Sequence, residues 1–116
     1  MTTAQLETKL NEAVLSGKAM EAFEEMYAED VVMQENDAAP TIGKAANRER
    51  EIAFFSSLEA FHGARVLSSV AGEDVSFSEW ELDVTFKGAG RVKWTQAVVR
   101  RWKSGQVATE RFYYAK

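Results

Sequence analysis

Glu35 ends a β-branched run, Val31-Val32-Met33-Gln34-Glu35, and the turn formers Asn36, Asp37 and Pro40 follow it before Gly43 opens a helix. On a strand, Val31, Met33 and Glu35 share one face, so the carboxylate points inward with its apolar neighbours. Loss of water there favours the neutral acid and equips Glu35 as a general base. The structural alternative, left open by the sequence, is a carboxylate at a cavity mouth or paired with a basic strand residue. Gln96 is the second candidate, an amide able to donate a hydrogen bond to a developing oxyanion, with the indoles of Trp80 and Trp94 as further donors. Two other sets carry polar groups. Glu51, Phe55, Leu58 and His62 recur at four, three and four, one line of a helix. The reading preferred for them is the plain one, with His62 capping carbonyls and Glu51 at the wet edge. Adjacent antiparallel strands could set Arg100 and Glu110 opposite each other; the preferred reading is a structural pair that satisfies itself rather than one that holds an anionic substrate group, and the register it requires is not fixed by the sequence. No metal motif, phosphate loop, dinucleotide fingerprint or nucleophile elbow is present, and one histidine and no cysteine exclude multi-histidine and thiolate sites. No cofactor or metal is called for.

These groups need a scaffold. Thr3–Ser16 and Lys18–Ala28 read as amphipathic helices, the first with Leu6, Leu10, Ala13 and Val14 in one stripe and Gly17 as its stop. A strand of about six residues follows from Val31, and a third helix is predicted from about Lys44 to His62. From Gly63 the period becomes two, giving strands over Ala64–Ala71, Val75–Lys87, Arg91–Lys103 and Gln106–Ala115. Lys87-Gly88-Ala89-Gly90 and Lys103-Ser104-Gly105-Gln106 are hairpin turns, so these strands form an antiparallel meander. Trp80, Leu82, Val84 and Phe86 share the inner face of one strand; Val92, Trp94, Gln96, Val98, Arg100 and Trp102 share that of the next. In the last strand Ala108, Glu110, Phe112 and Tyr114 alternate with Val107, Thr109, Arg111 and Tyr113, and both sets are mixed, so either face could be the inner one.

Composition sets the bounds. The 116 residues fit a single domain, 1–116, and 46% hydrophobic with 28% charged residues is a globular balance. A cysteine-free chain with no signal-peptide or membrane-length apolar stretch is expected in the cytoplasm, with no membrane partner. Net charge is −4, yet residues 91–116 carry seven bases against one acid. A nucleic-acid surface is not expected there, because Glu79, Glu81 and Asp83 on the preceding strand are cross-strand complements for those bases.

The run Tyr27-Ala28-Glu29-Asp30, a short strand ending in Glu35, then Pro40 and Gly43, resembles the nuclear transport factor 2-like superfamily in its SnoaL-like and ketosteroid-isomerase-like branches. The order of elements agrees over almost the whole chain. The resemblance implies an α+β cone: three N-terminal helices packed on a highly curved, mostly antiparallel β-sheet, around an apolar pocket. Met33, Phe55, Trp80, Leu82, Val84, Trp94, Val98, Glu110, Phe112 and Tyr114 are the residues expected to line it. Glu35 matches the branch's general-base aspartate. The branch's two oxyanion donors match Leu10 and Val98, neither of which can donate, and this argues against steroid isomerase activity. The resemblance also implies a homodimer through the outer sheet face, where Ala97 and Val99 are apolar.

Two classes of function follow. One is a cofactor-independent proton-transfer enzyme, of isomerase, dehydratase or cyclase type, acting on a small hydrophobic molecule. The other is a binding or protein-interaction module of the same fold that turns nothing over, which the missing oxyanion donors favour.

Overall fold

The structure is a computed structural model and describes residues 1–115. Its elements are α1 (Thr3–Leu15), α2 (Ala19–Met26), β1 (Tyr27–Glu35), β2 (Thr41–Ile42), α3 (Lys44–Ser56), β3 (Leu58–Ala71), β4 (Val75–Phe86), β5 (Gly90–Lys103) and β6 (Gln106–Tyr113). The class is the expected α+β, three helices against one curved sheet in the order β2-β1-β6-β5-β4-β3. Its pairs are antiparallel except β1 with β6, which run parallel.

The hairpins form where the turn residues stand. Ser104 and Gly105 both take positive φ, 53° and 77°, the pairing that a two-residue turn needs to match the twist of its strands. Curvature comes from β3, whose register against β4 shifts at Leu58/Ala60, Phe61/Gly63 and Val66/Ser68. Each shift is a bulge that bends the ladder. The main core lies between α1, α2 and the sheet and gathers Leu10, Phe23, Met26, Tyr27, Val31, Trp102 and Val107.

The third helix is shorter than its spacing predicts. It stops at Ser56, where Ser57 donates from its backbone to Ala53 O and from Oγ to Phe54 O. Leu58 to His62 then open β3, with Leu58 opposite Phe86 and Phe61 opposite Val84. Helical spacing fits those five residues, but the strand form gives the β4 edge a partner along its whole length. His62 therefore caps no helix; its Nε2 lies 2.7 Å from Thr85 Oγ1 on the exposed hairpin. Tyr27 and Ala28, read as the end of the second helix, begin β1 instead, and β2 was not anticipated.

The loop between β1 and α3 is pinned by one amide. Asn47 is fully buried, and its Nδ2 donates to the carbonyls of Val31, Thr41 and Gly43 at 3.2, 3.0 and 2.9 Å. On the outer face of the sheet the bases have acidic partners: Arg91 with Asp83 at 2.8 Å, Arg65 with Glu81 at 3.0 Å and Lys93 with Glu81 at 3.6 Å. Among the described residues no helix is long and apolar enough to cross a membrane.

Candidate active site

Curvature lifts the sheet away from α1 and α3 and leaves a cavity of about 480 Å³. Strand parity builds its wall from Trp80, Leu82, Trp94, Val98 and Phe112, and α3 roofs it with Phe54 and Phe55. The aromatic groups brace each other: Phe86 stacks on Trp94 with centroids 6.3 Å apart, and Phe54 meets Phe86 edge-on at 6.2 Å. Leu10 and Val98 also line the space.

Of the residues expected at the pocket, Glu35, Phe55, Trp80, Leu82, Trp94, Gln96, Val98, Glu110, Phe112 and Tyr114 reach it, and Met33 and Val84 do not. Met33 is sealed in the core beneath the helices, with Arg50 Nη2 4.0 Å from its sulfur, so that Arg50 lines the cavity in its place. Val84 stands opposite Phe61 on one side and Val92 on the other, and these neighbours form the wall over it.

Glu35 sits at the mouth. Its carboxylate accepts from Tyr114 Oη at 3.1 Å and lies 3.4 Å from Arg50 Nη1, and its side chain is 46% exposed. Of the two placements the sequence left open, Glu35 takes the cavity mouth, because the strand ends there and water reaches its tip. Burial, reinforced by the charge of Glu35, raises the Tyr114 hydroxyl above its ordinary pKa.

Desolvation falls instead on Glu51. Carried by α3 on the same side as Phe54 and Phe55, its side chain is 20% exposed, and its nearest charged partner is Arg50 Nη2 at 3.8 Å. No hydrogen bond reaches its carboxylate among the described residues. Burial first, then the negative charge of Glu110, push it up to about 7, with Arg50 opposing and Glu35 adding. The sequence put Glu51 on the right line of the helix; its depth depends on the roof, which composition does not reveal.

The floor is a polar network. Arg100 stands opposite Glu110 in the register of β5 and β6 and donates from Nε to Glu110 Oε2 at 2.6 Å. Its Nη1 donates to Glu7 Oε1 at 3.0 Å and Asn11 Oδ1 at 2.7 Å. Tyr27 donates to Glu110 Oε2 at 2.5 Å, and Glu7 also accepts from Ser76 at 2.7 Å and from Ser78. Burial lowers the pKa of Arg100, but Glu110, Tyr27 and Glu7 outweigh it and hold the guanidinium above its usual value. Burial and the charge of Glu110 raise the Tyr27 phenol well above its own. Glu7 and Asn11 escaped sequence reading; the available signal was two polar residues four apart beside the apolar stripe of α1.

Along the wall, Trp94 Nε1 donates to Gln96 Oε1 at 3.0 Å. An indole nitrogen only donates, so this contact fixes the amide's orientation. Its Nε2 has no partner among the described residues.

Known proteins place this arrangement in context. Residues 1–114 match a family model described as SnoaL-like domain. A crystal structure of a SnoaL-like polyketide cyclase candidate from Mesorhizobium loti shares 28% identity, covering 98% of this chain and 100% of that one, with a TM-score of 0.89. A Xanthomonas campestris protein of unknown function with a cystatin-like fold shares 16% identity over 100% and 92% of the two chains, with a TM-score of 0.87. A Catenulispora acidiphila protein with a ketosteroid isomerase-like fold, solved with trimethylamine, shares 15% over 99% and 88%, with a TM-score of 0.79. No curated protein matches the chain.

Proposed function

The chain belongs to the SnoaL-like domain family, and we propose that it is a proton-transfer enzyme of isomerase, dehydratase or cyclase type acting on a small, largely apolar molecule. The observation carrying this reading is Glu51: a carboxyl pushed up to about 7, facing an aromatic cavity large enough for a two-ring compound. Such a group takes a proton from a C–H next to a carbonyl and returns it elsewhere near neutral pH. The C–H electron pair moves onto the carbonyl oxygen as an enolate, and a donor such as Gln96 Nε2 stabilises that charge. We assign the proton to Glu51 and give Glu35, paired with Arg50 at the mouth, the supporting role of setting the local field. The chemistry needs neither metal nor organic cofactor. The cyclase description of the Mesorhizobium loti protein supports the reaction type.

Exchange of the α-protons of α-tetralone in deuterated buffer, followed by proton NMR, tests this without knowledge of the natural substrate. The wild type should exchange them above the buffer rate, and Glu51→Gln should lose about 10²-fold or more. Exchange that survives the substitution unchanged removes Glu51 from the role. A second reading, a ligand-binding module, is favoured by the apolar Leu10 and Val98 at the cavity; it predicts binding without exchange even in the wild type.

A homodimer through the outer sheet face is proposed on the same footing, because Val70, Phe77 and Val99 form one cross-strand row and Val70 and Phe77 are exposed. A cytoplasmic setting is proposed since a chain without cysteine asks for no oxidising compartment.

A further inference from the structure

We infer that the cavity floor, Arg100 with Glu110, is a recognition site for a neutral oxygen function, so that the substrate is a flat ketone or hydroxylated ring compound that enters oxygen first. The inference rests on reading the cavity as a substrate site and names what that substrate carries. Arg100 is almost wholly buried, and its Nε and Nη1 are committed to Glu110, Glu7 and Asn11. Its Nη2 has no hydrogen-bond partner among the described residues. Arg100 is nonetheless one of the residues that line the cavity. Glu110 repeats the pattern. Its Oε2 accepts from both Tyr27 and Arg100, while Oε1 has no donor among the described residues, and Glu110 too lines the cavity.

A charged nitrogen left unpaired at this depth is costly unless a ligand or water accepts from it. The floor thus offers one donor beside one acceptor. Two carboxyls, Glu7 and Glu110, already face the single guanidinium, so no surplus positive charge remains to draw in a carboxylate or phosphate. A carbonyl accepts from Nη2, and a hydroxyl donates to Oε1. With the oxygen on the floor, a neighbouring C–H comes under Glu51, whose charge already senses both Arg100 and Glu110.

Binding of three probes of one shape tests the inference: tetralin, α-tetralone and α-naphthoate. The wild type should bind the ketone about tenfold more tightly than the hydrocarbon, the discrimination expected of one hydrogen bond to a charged group. The carboxylate should gain no such advantage. The carbon resonance of carbonyl-labelled α-tetralone should move downfield on binding. Arg100→Lys, which keeps a charge but loses the free guanidinium nitrogen, should erase the ketone preference while tetralin still binds. The inference is overturned if neither neutral probe binds, if the wild type shows no preference, if the carboxylate binds tightest, or if a folded Arg100→Lys keeps the preference. Should Arg100→Lys fail to fold, the wild-type carbon shift decides, and its absence rejects the site. An Arg100-dependent preference without α-proton exchange overturns the enzyme reading alone. Glu51-dependent exchange with a preference indifferent to Arg100 overturns the floor site alone.

Discussion

Glu35 and Glu51 both approach Arg50, at 3.4 and 3.8 Å, and differ chiefly in how much water they keep. At the strand end Glu35 keeps much of its contact with solvent; on the helix above the aromatic wall Glu51 keeps less, and burial pushes its carboxyl from 4.5 up to about 7. The sign of the consequence follows from proton counts. Between those two values the folded chain holds more protons at Glu51 than the unfolded chain, so stability falls as pH rises from about 4.5 to about 7. Above about 7 the penalty is complete, on the order of 3 kcal/mol. Glu51→Gln should therefore be more stable than the wild type near about pH 8 and nearly equal to it near about pH 4, as urea titrations at the two values will show. Activity has the opposite slope, because the ionised carboxylate is the base: exchange should climb through about pH 7 and then level. Since the charge of Glu35 helps raise Glu51, Glu35→Gln should retain exchange and move this profile toward acid. A Glu35→Gln variant that loses exchange at every pH would return the base to Glu35.

At the scale of elements, the placement of α3 governs the site. Its start is held by Gly43, whose φ of 96° few other residues accept, and by the three carbonyl contacts of Asn47. Asn47→Ala leaves those buried carbonyls with fewer partners and should cost about 2 kcal/mol, read as a lowered urea midpoint. It should also weaken α-tetralone binding by loosening the roof. The end of α3 was misread because Leu58 and His62 continue a helical line while also fitting a strand. Period alone cannot arbitrate when the deciding partner, β4, lies more than twenty residues further along the chain. Strands β4 and β5 were legible because alternation over more than ten residues admits one period.

Over the whole molecule, two surfaces are organised in opposite senses by the same sheet. Its inner face carries the cavity and the Glu7, Arg100, Glu110 network; its outer face carries paired charges around the apolar row of Val70, Phe77 and Val99. If that row is the homodimer surface, Phe77→Glu buries like charges against each other across the two-fold axis and should convert the dimer to monomer in sedimentation velocity. Equal sedimentation of both proteins, whether as dimer or monomer, rejects this face as the dimer surface.

What the sequence determined by itself is local or strictly periodic: the α+β class, the two glycine-marked hairpins, and the inward faces of β4 and β5 that give the cavity its Trp80, Leu82, Trp94 and Val98. The pairing of Arg100 with Glu110 was open in the sequence, and the structure fixed it by setting the register of β5 on β6. Only the tertiary structure decided which carboxyl lost its water. Desolvation is a property of a closed space, and this one closes between a helix from the first half of the chain and strands from the second. The same closure brought Glu7 and Asn11 of α1 against Arg100 from 93 and 89 residues away, a separation over which no spacing rule operates.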